Sequence, residues 1–428
     1  MTHMNHHFSA RGSGATASAK LQTAFDAESD TPELIEAIAE EVPQLREVMA
    51  SLRVELPLVP HSGVGPIGRT GFYRLPNHYR SVNYILPPTD ASDPASSPGV
   101  IVFKGTEPLL ADFPAYFDWM LDTPFRSSSL PLGLHFPLDM KLPPAAMWIE
   151  ECVAEQAVSS RIQQLYLARH GRLAHLPVPL FVFRMTPQQN ARYEAVIRSR
   201  IPEDGIKKIQ KKLADGLGVE VYYYPELPVR VADLFVRNIR ETFSPALAPE
   251  QIESTFENWS KLLAEMLCLD YMPYAPWHHG MGGCVDQGNV CIDGGFNDLL
   301  TLVPFDTIPD DVLFRRCIFS SIHMLAESMA AMCAASTGMA TVQEPDAGQL
   351  ASTYATERVR EHVLAAEREG HAIDGRLRRF FDTPGVADIL HVLRRSHQAR
   401  VRGAQFVVNA NPRAQAIDRA TASIAAGA

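Results

Sequence analysis

The chain has six cysteines, and no two of them form a Cys-x-x-Cys pair. Cys152, Cys268, Cys284, Cys291, Cys317 and Cys333 stand singly, which excludes a zinc ribbon and a thioredoxin-type motif. In a chain this long they read as reduced, mostly buried thiols. Also missing is any run of about 18 apolar residues, so no membrane span is expected. The N-terminus opens Met-Thr-His-Met-Asn-His-His and continues in small polar residues, without the apolar core of a signal peptide. The expected compartment is the cytoplasm. Positive charge is in short supply as well: 39 Lys+Arg face 49 Asp+Glu, a net charge of -10. That balance argues against a general nucleic-acid partner, because phosphate binding needs an electropositive face. No internal repeat is found.

What is present is ordinary globular material: 428 residues, 46% hydrophobic and 21% charged, enough for a large core and two or three lobes. Residues 1–20 are expected to be a disordered arm. Leu34, Ile35, Ile38, Val42, Leu45, Val48 and Met49 recur at helical spacing, predicting one helix over 31–53 with Pro32 in its first turn. Ser81–Leu86 and Val100–Lys104 read as strands joined by the Pro/Ser/Asp-rich loop 87–98. Leu134–Leu142 and Val178–Met185 read as further strands, as does Tyr222-Tyr223-Tyr224, and Met147–Tyr166 reads as a helix. Beyond residue 230 helices dominate, at 231–243, 249–269, 310–335, 351–369, 376–381 and 387–402. The expected fold is α+β with two lobes: a strand-containing N-terminal lobe over 21–190, and a mainly helical C-terminal lobe over 191–428.

One stretch is chemically loaded. Residues 277–298 follow a long amphipathic helix and place His278, His279, Cys284, Asp286, Asn289, Cys291, Asp293, Asn297 and Asp298 among six glycines. Glycines let backbone approach a ligand or take positive φ. The bland alternative is a glycine-rich connection whose polar groups are spent on caps and turns. Three chemistries compete with it. One is a phosphotransfer centre, in which a carboxylate positions or deprotonates the acceptor while Asn289 and a later Asp hold Mg2+ on nucleotide phosphates. A second is a Zn2+ or Fe2+ site from His278, His279, Cys284, Asp286 and Cys291, without the spacing that makes such sites recognisable. The third is a Cys284 nucleophile served by His279 or His323.

For the first chemistry the upstream half supplies Phe103-Lys104-Gly105 at a strand end and a helix bearing Glu150, Glu151 and Glu155. Glu151 is taken as the partner of the phosphate lysine, and Lys141 is a rival to Lys104. With His279-Gly280 and Asn289 before a short strand, this order of parts resembles the divergent protein-kinase-like superfamily. Its relevant branches are aminoglycoside-phosphotransferase-like kinases, selenoprotein-O-like enzymes and siderophore synthetases independent of nonribosomal peptide synthetases. The resemblance covers roughly residues 80–300. His279 and Asn289 are ten apart, wider than the common pattern, and Asp286 is only three before Asn289. It implies ATP and Mg2+ as cofactors and a small-molecule acceptor. The implied roles are Asp286 and His279 in catalysis, Lys104 and Glu151 at the nucleotide, and Asn289 with Asp298 or Asp293 at the metal. The nucleotide would lie between the lobes. Metal-dependent chemistry on the His-Cys-Asp cluster, or a non-catalytic binding or accessory role, are the alternatives. The sequence does not speak to oligomeric state.

Elsewhere the structural reading is preferred. Gly-x-Gly-x-x-Gly at 63–68 lies among prolines and reads as a surface loop, and the lysines of 207–212 and arginines of 376–402 as solvated faces. Met324, Met329, Met332, Cys333 and His323 read as core.

Overall fold

A computed structural model describes residues 18–19, 23–54, 56–57, 65–67, 72–75, 81–86, 99–105, 147–235, 237–274, 284–338 and 345–383. They belong to two compact units. The first comprises Met1–Pro124, Phe136–Gln164 and Pro177–Leu227; the second comprises Phe125–His135, Leu165–Leu176 and Pro228–Ala428. Helices and antiparallel sheet are both present, so the fold is α+β. The expected strand at 134–142 and the helix at 387–402 lie outside the described residues.

In chain order the first unit carries β1 (Ser18–Ala19), β2 (Thr23–Asp26), α1 (Ala27–Asp30), α2 (Pro32–Glu41), α3 (Leu45–Val54), β3 (Leu56–Pro57), β4 (Gly65–Ile67), β5 (Phe72–Arg74), β6 (Ser81–Ile85) and β7 (Val100–Lys104). It continues with β8 (Met147–Trp148), α4 (Ile149–His170), β9 (Val178–Arg184), α5 (Pro187–Arg200), α6 (Glu203–Asp215) and β10 (Leu217–Tyr224). The residues of α4 from Leu165 onward count with the second unit. Two details depart from expectation. The arm expected over 1–20 ends in β1, which pairs with β3. The single helix expected over 31–53 is two, because Val42 precedes Pro43 and leaves helical geometry at φ -128, ψ 81.

The main sheet runs β2-β9-β10-β7-β6-β5-β4, with β8 also on β10. Its central pairings are antiparallel and in register, Ser81 opposite Lys104 on one side of β7 and Glu220 opposite Lys104 on the other. Every residue of β7 and β10 is buried, as expected of central strands written Val-Ile-Val-Phe-Lys and Leu-Gly-Val-Glu-Val-Tyr-Tyr-Tyr. Because β10 completes this sheet, the first unit extends to Leu227, beyond the boundary expected at 190. The Gly65-Pro66-Ile67 part of the glycine motif forms β4 at the end of the sheet, where a proline is tolerated.

α4 packs on the sheet through Ile149 and Cys152, which cluster with Met147 and Val182. Gly218 makes this approach possible: a Cβ there would meet Ile149 Cδ1 at 2.7 Å and Cys152 Sγ at 3.1 Å.

The second unit contains α7 (Arg237–Thr242), α8 (Pro249–Cys268), β11 (Tyr271–Pro273), β12 (Leu302–Pro304), α9 (Asp311–Ser336), α10 (Pro345–Arg368) and α11 (Gly375–Asp382). α10 packs against both α8 and α9. α9 is the core helix, capped by Asp310 Oδ1 accepting from Leu313 N at 2.6 Å, with Met324, Met329, Met332 and His323 buried as expected. Cys333 is exposed instead. α9 is also long and apolar enough to cross a membrane, a feature that a search for unbroken apolar runs overlooks, but 89% of its most apolar window is buried inside the fold.

Gly218→Val should destabilise the protein by about 1–3 kcal/mol through overpacking between α4 and β10, measured by urea denaturation.

Candidate functional site

The first unit buries a charged triad. Lys104, at the end of β7, sends its ammonium to both oxygens of Glu155 on α4, each at 2.5 Å. Glu220 Oε2 on β10 is 3.7 Å from the same nitrogen. Gln156 Nε2 donates to Glu220 Oε1 at 2.8 Å, tying the second carboxylate to α4. The three charged side chains are 2%, 1% and 0% exposed. An ammonium so placed is stable only with close counter-charge, and two carboxylates supply it.

Glu151 does not take the part expected of it. One helical turn before Glu155, it points to Lys212 of α6, 3.1 Å away, while Glu155 reaches Lys104. That pairing and those of Lys211 with Asp215 and Glu150 make the lysine face of α6 a neutralised surface. Arg376 and Arg378 likewise pair with Asp374, Glu367 and Asp382.

In the second unit, residues 289–297 form a small hairpin. Cys291 N donates to Gly295 O and Asn297 N to Asn289 O, both at 2.9 Å, bridging Val290 to Phe296. The segment 229–231 adds a third strand through Ile292 N to Val229 O (2.9 Å) and Val231 N to Val290 O (3.1 Å). α8 clamps the other side: Thr255 Oγ1 donates to Ile292 O at 2.8 Å and Trp259 Nε1 to Cys291 O at 2.9 Å. At the hairpin tip Gly294 has φ +96 and lies against Asn258, where a Cβ would come within 2.6 Å. Only glycine suits that position.

The acidic residues of the loop divide by task. Asp286 Oδ1 accepts from Gly288 N at 2.6 Å and its carbonyl from Asn289 N at 2.7 Å, making the turn that presents Asn289. Asp293 is committed twice, Oδ1 to Gly295 N at 3.0 Å and Oδ2 to His175 Nε2 at 3.1 Å. Its side chain is only 4% exposed. Asp298 follows the hairpin and is half-buried, with Oδ1 3.4 Å from Leu300 N. β11 and β12 then pair, Tyr271 opposite Pro304.

Cys284 is fully buried. Burial first, then the carboxylates of Asp298 and Asp286, push its thiol far above the usual range, so it is no nucleophile in this state. His278, His279 and Lys141 lie outside the described residues. Among the described residues no group of three or more His, Cys, Asp or Glu is placed to hold a metal, which leaves Cys284, Asp286 and Cys291 without a zinc or iron arrangement of their own. His323 is in the core, 3.3 Å from Glu327. Glu220 and His175 were missed by the sequence reading, although a lone glutamate in an apolar strand is itself a sign of a buried partner.

Comparison with protein-family models, with curated proteins and with solved structures returned no match.

Lys104→Met should cost about 3–5 kcal/mol at neutral pH, because it strands two buried carboxylates. Carboxylates stranded in this way have folded pKa values above their unfolded ones. Their protonation therefore stabilises at low pH, and that stabilisation is lost as pH rises. Denaturation midpoints should show the deficit shrinking from about pH 7 to about pH 5. In native protein, maleimide should label a single thiol, Cys333, and spare Cys284; mass spectrometry reads this directly.

Proposed function

We propose that this protein is a two-lobed, kinase-like enzyme that uses ATP and Mg2+ to transfer a phosphoryl or adenylyl group to a small metabolite, or to drive its condensation. The observation that carries this reading is the strand-borne Lys104 held by Glu155 of helix α4. A lysine fixed this way is suited to polarise nucleotide phosphates. Support comes from the order of the later elements: strands β9 and β10, the helix α8, the strand β11, then Asn289, a hairpin and Asp298 before β12.

In this reading Glu155 orients Lys104, and Glu220 with Gln156 braces the pair. The amide oxygen of Asn289 and the carboxylate of Asp298 are hard oxygen donors, the kind that hold magnesium on phosphates, where its charge offsets the negative charge developing in transfer. Asp286 sets the Asn289 turn and takes the part of positioning an acceptor; His279 keeps the part implied by the resemblance.

MgATP should raise the melting temperature, with about 2.7 kcal/mol of stabilisation at a hundredfold excess over Kd. Lys104→Met and Asp298→Asn should each remove the shift, and the second should also remove its dependence on magnesium. No shift with the wild type would overturn the reading and favour an accessory role. A shift indifferent to both substitutions would show that the nucleotide binds elsewhere.

A further inference from the structure

The second unit holds an arginine that the proposed site does not use. Arg230 lies opposite Cys291 in the bridge between 229–231 and the hairpin. Residues facing each other across an antiparallel bridge send their side chains to the same face, and along a strand that face recurs every second residue. Arg230 therefore shares a face with Cys291, two residues beyond the turn that carries Asn289. Val229 and Val231, 1% and 0% exposed, take the opposite one. Arg230 is partly buried, and its Nε is shut off from solvent with no hydrogen-bond partner among the described residues. Asp233, the nearest acid in sequence, spends Oδ2 on the backbone N–H of Arg230 at 2.9 Å.

Buried donors are nearly always satisfied, so a dry Nε on a planar fork, on a bridge two residues from Asn289, calls for an acceptor from outside the protein. A guanidinium matches the paired oxygens of a phosphate better than any neutral group does. We propose that Arg230 binds a phosphate group next to Asn289, contributed either by the nucleotide or by a phosphorylated acceptor. This deepens the reading of Asn289 as a phosphate-end residue, and rests on it for the choice between those two sources.

Calorimetric titration of the full chain with sodium pyrophosphate and, separately, MgATP tests it on the wild type, Arg230→Gln and Arg230→Lys. Pyrophosphate affinity should fall about tenfold or more in Arg230→Gln and less in Arg230→Lys, which keeps charge but loses the fork. If MgATP weakens in parallel, the nucleotide is the source. If MgATP is unchanged while the ATP-saturated wild type still takes pyrophosphate through Arg230, the acceptor is. Equal pyrophosphate binding by wild type and Arg230→Gln overturns the proposal, as does a wild type that binds none. Should Arg230→Gln not fold, Arg230→Lys decides alone, and undiminished affinity there sinks the two-point contact. Pyrophosphate binding through Arg230 without any ATP binding would keep this site and discard the ATP-dependent function. ATP binding that needs Lys104 but not Arg230 would do the reverse.

Discussion

Placing an ammonium between two carboxylates inside a sheet constrains nearly everything around it. Lys104 closes β7, so its charge is compensated only if β10 lies alongside with Glu220 in register and α4 delivers Glu155 from above. α4 can do that only at a fixed rotation, because Glu151, one turn earlier, must face Lys212 instead. It also needs a fixed height over the strands, set by Gly218 beneath Ile149 and Cys152. Sheet order, helix rotation and helix height are therefore consequences of one buried charge requirement. If any of them failed, at least one uncompensated charge would remain, at a cost comparable to much of a domain's net stability.

The second unit solves a different problem: holding a polar, glycine-rich segment still without a core of its own. Its hairpin is fixed from two sides. Residues 229–231 supply backbone partners, and α8 supplies Thr255, Trp259 and the Asn258 contact that only glycine at 294 permits. Asp286 and Asp293 work as turn braces. A side chain carried on such a frame, as Asn289 is, keeps its position because the frame is rigid, which is what binding of phosphate or cation demands.

How much of this the sequence disclosed depends on how local each signal is. Lys104 was legible because a lysine terminating Val-Ile-Val-Phe stands out within five residues. The strands 81–86, 100–104 and 178–185 were legible for the same reason, and so was the loaded segment up to Asp298. Anything decided by rotation or register was not. Choosing Glu155 over Glu151 requires the facing of α4, and finding Glu220 requires knowing that β10, far along the chain, pairs with β7. The break at Val42-Pro43 was locally encoded and overlooked, since apolar spacing continued across it. Asp293 and Asp298 looked alike in sequence; that His175, distant in the chain, pairs with Asp293 was not legible there.

The triad also says something about purpose. Were stability the only requirement, apolar residues of similar volume at 104, 155 and 220 would serve as well or better, because the desolvation of three ions offsets most of their mutual attraction. Yet all three side chains are buried. Under the proposed function, Glu155 and Glu220 hold a lysine whose charge the nucleotide phosphates would use. Under the further proposal Arg230 is a second cation set to meet an anion. Each of the two, within its own unit, is a charge whose burial makes sense once an anionic ligand is there to meet it.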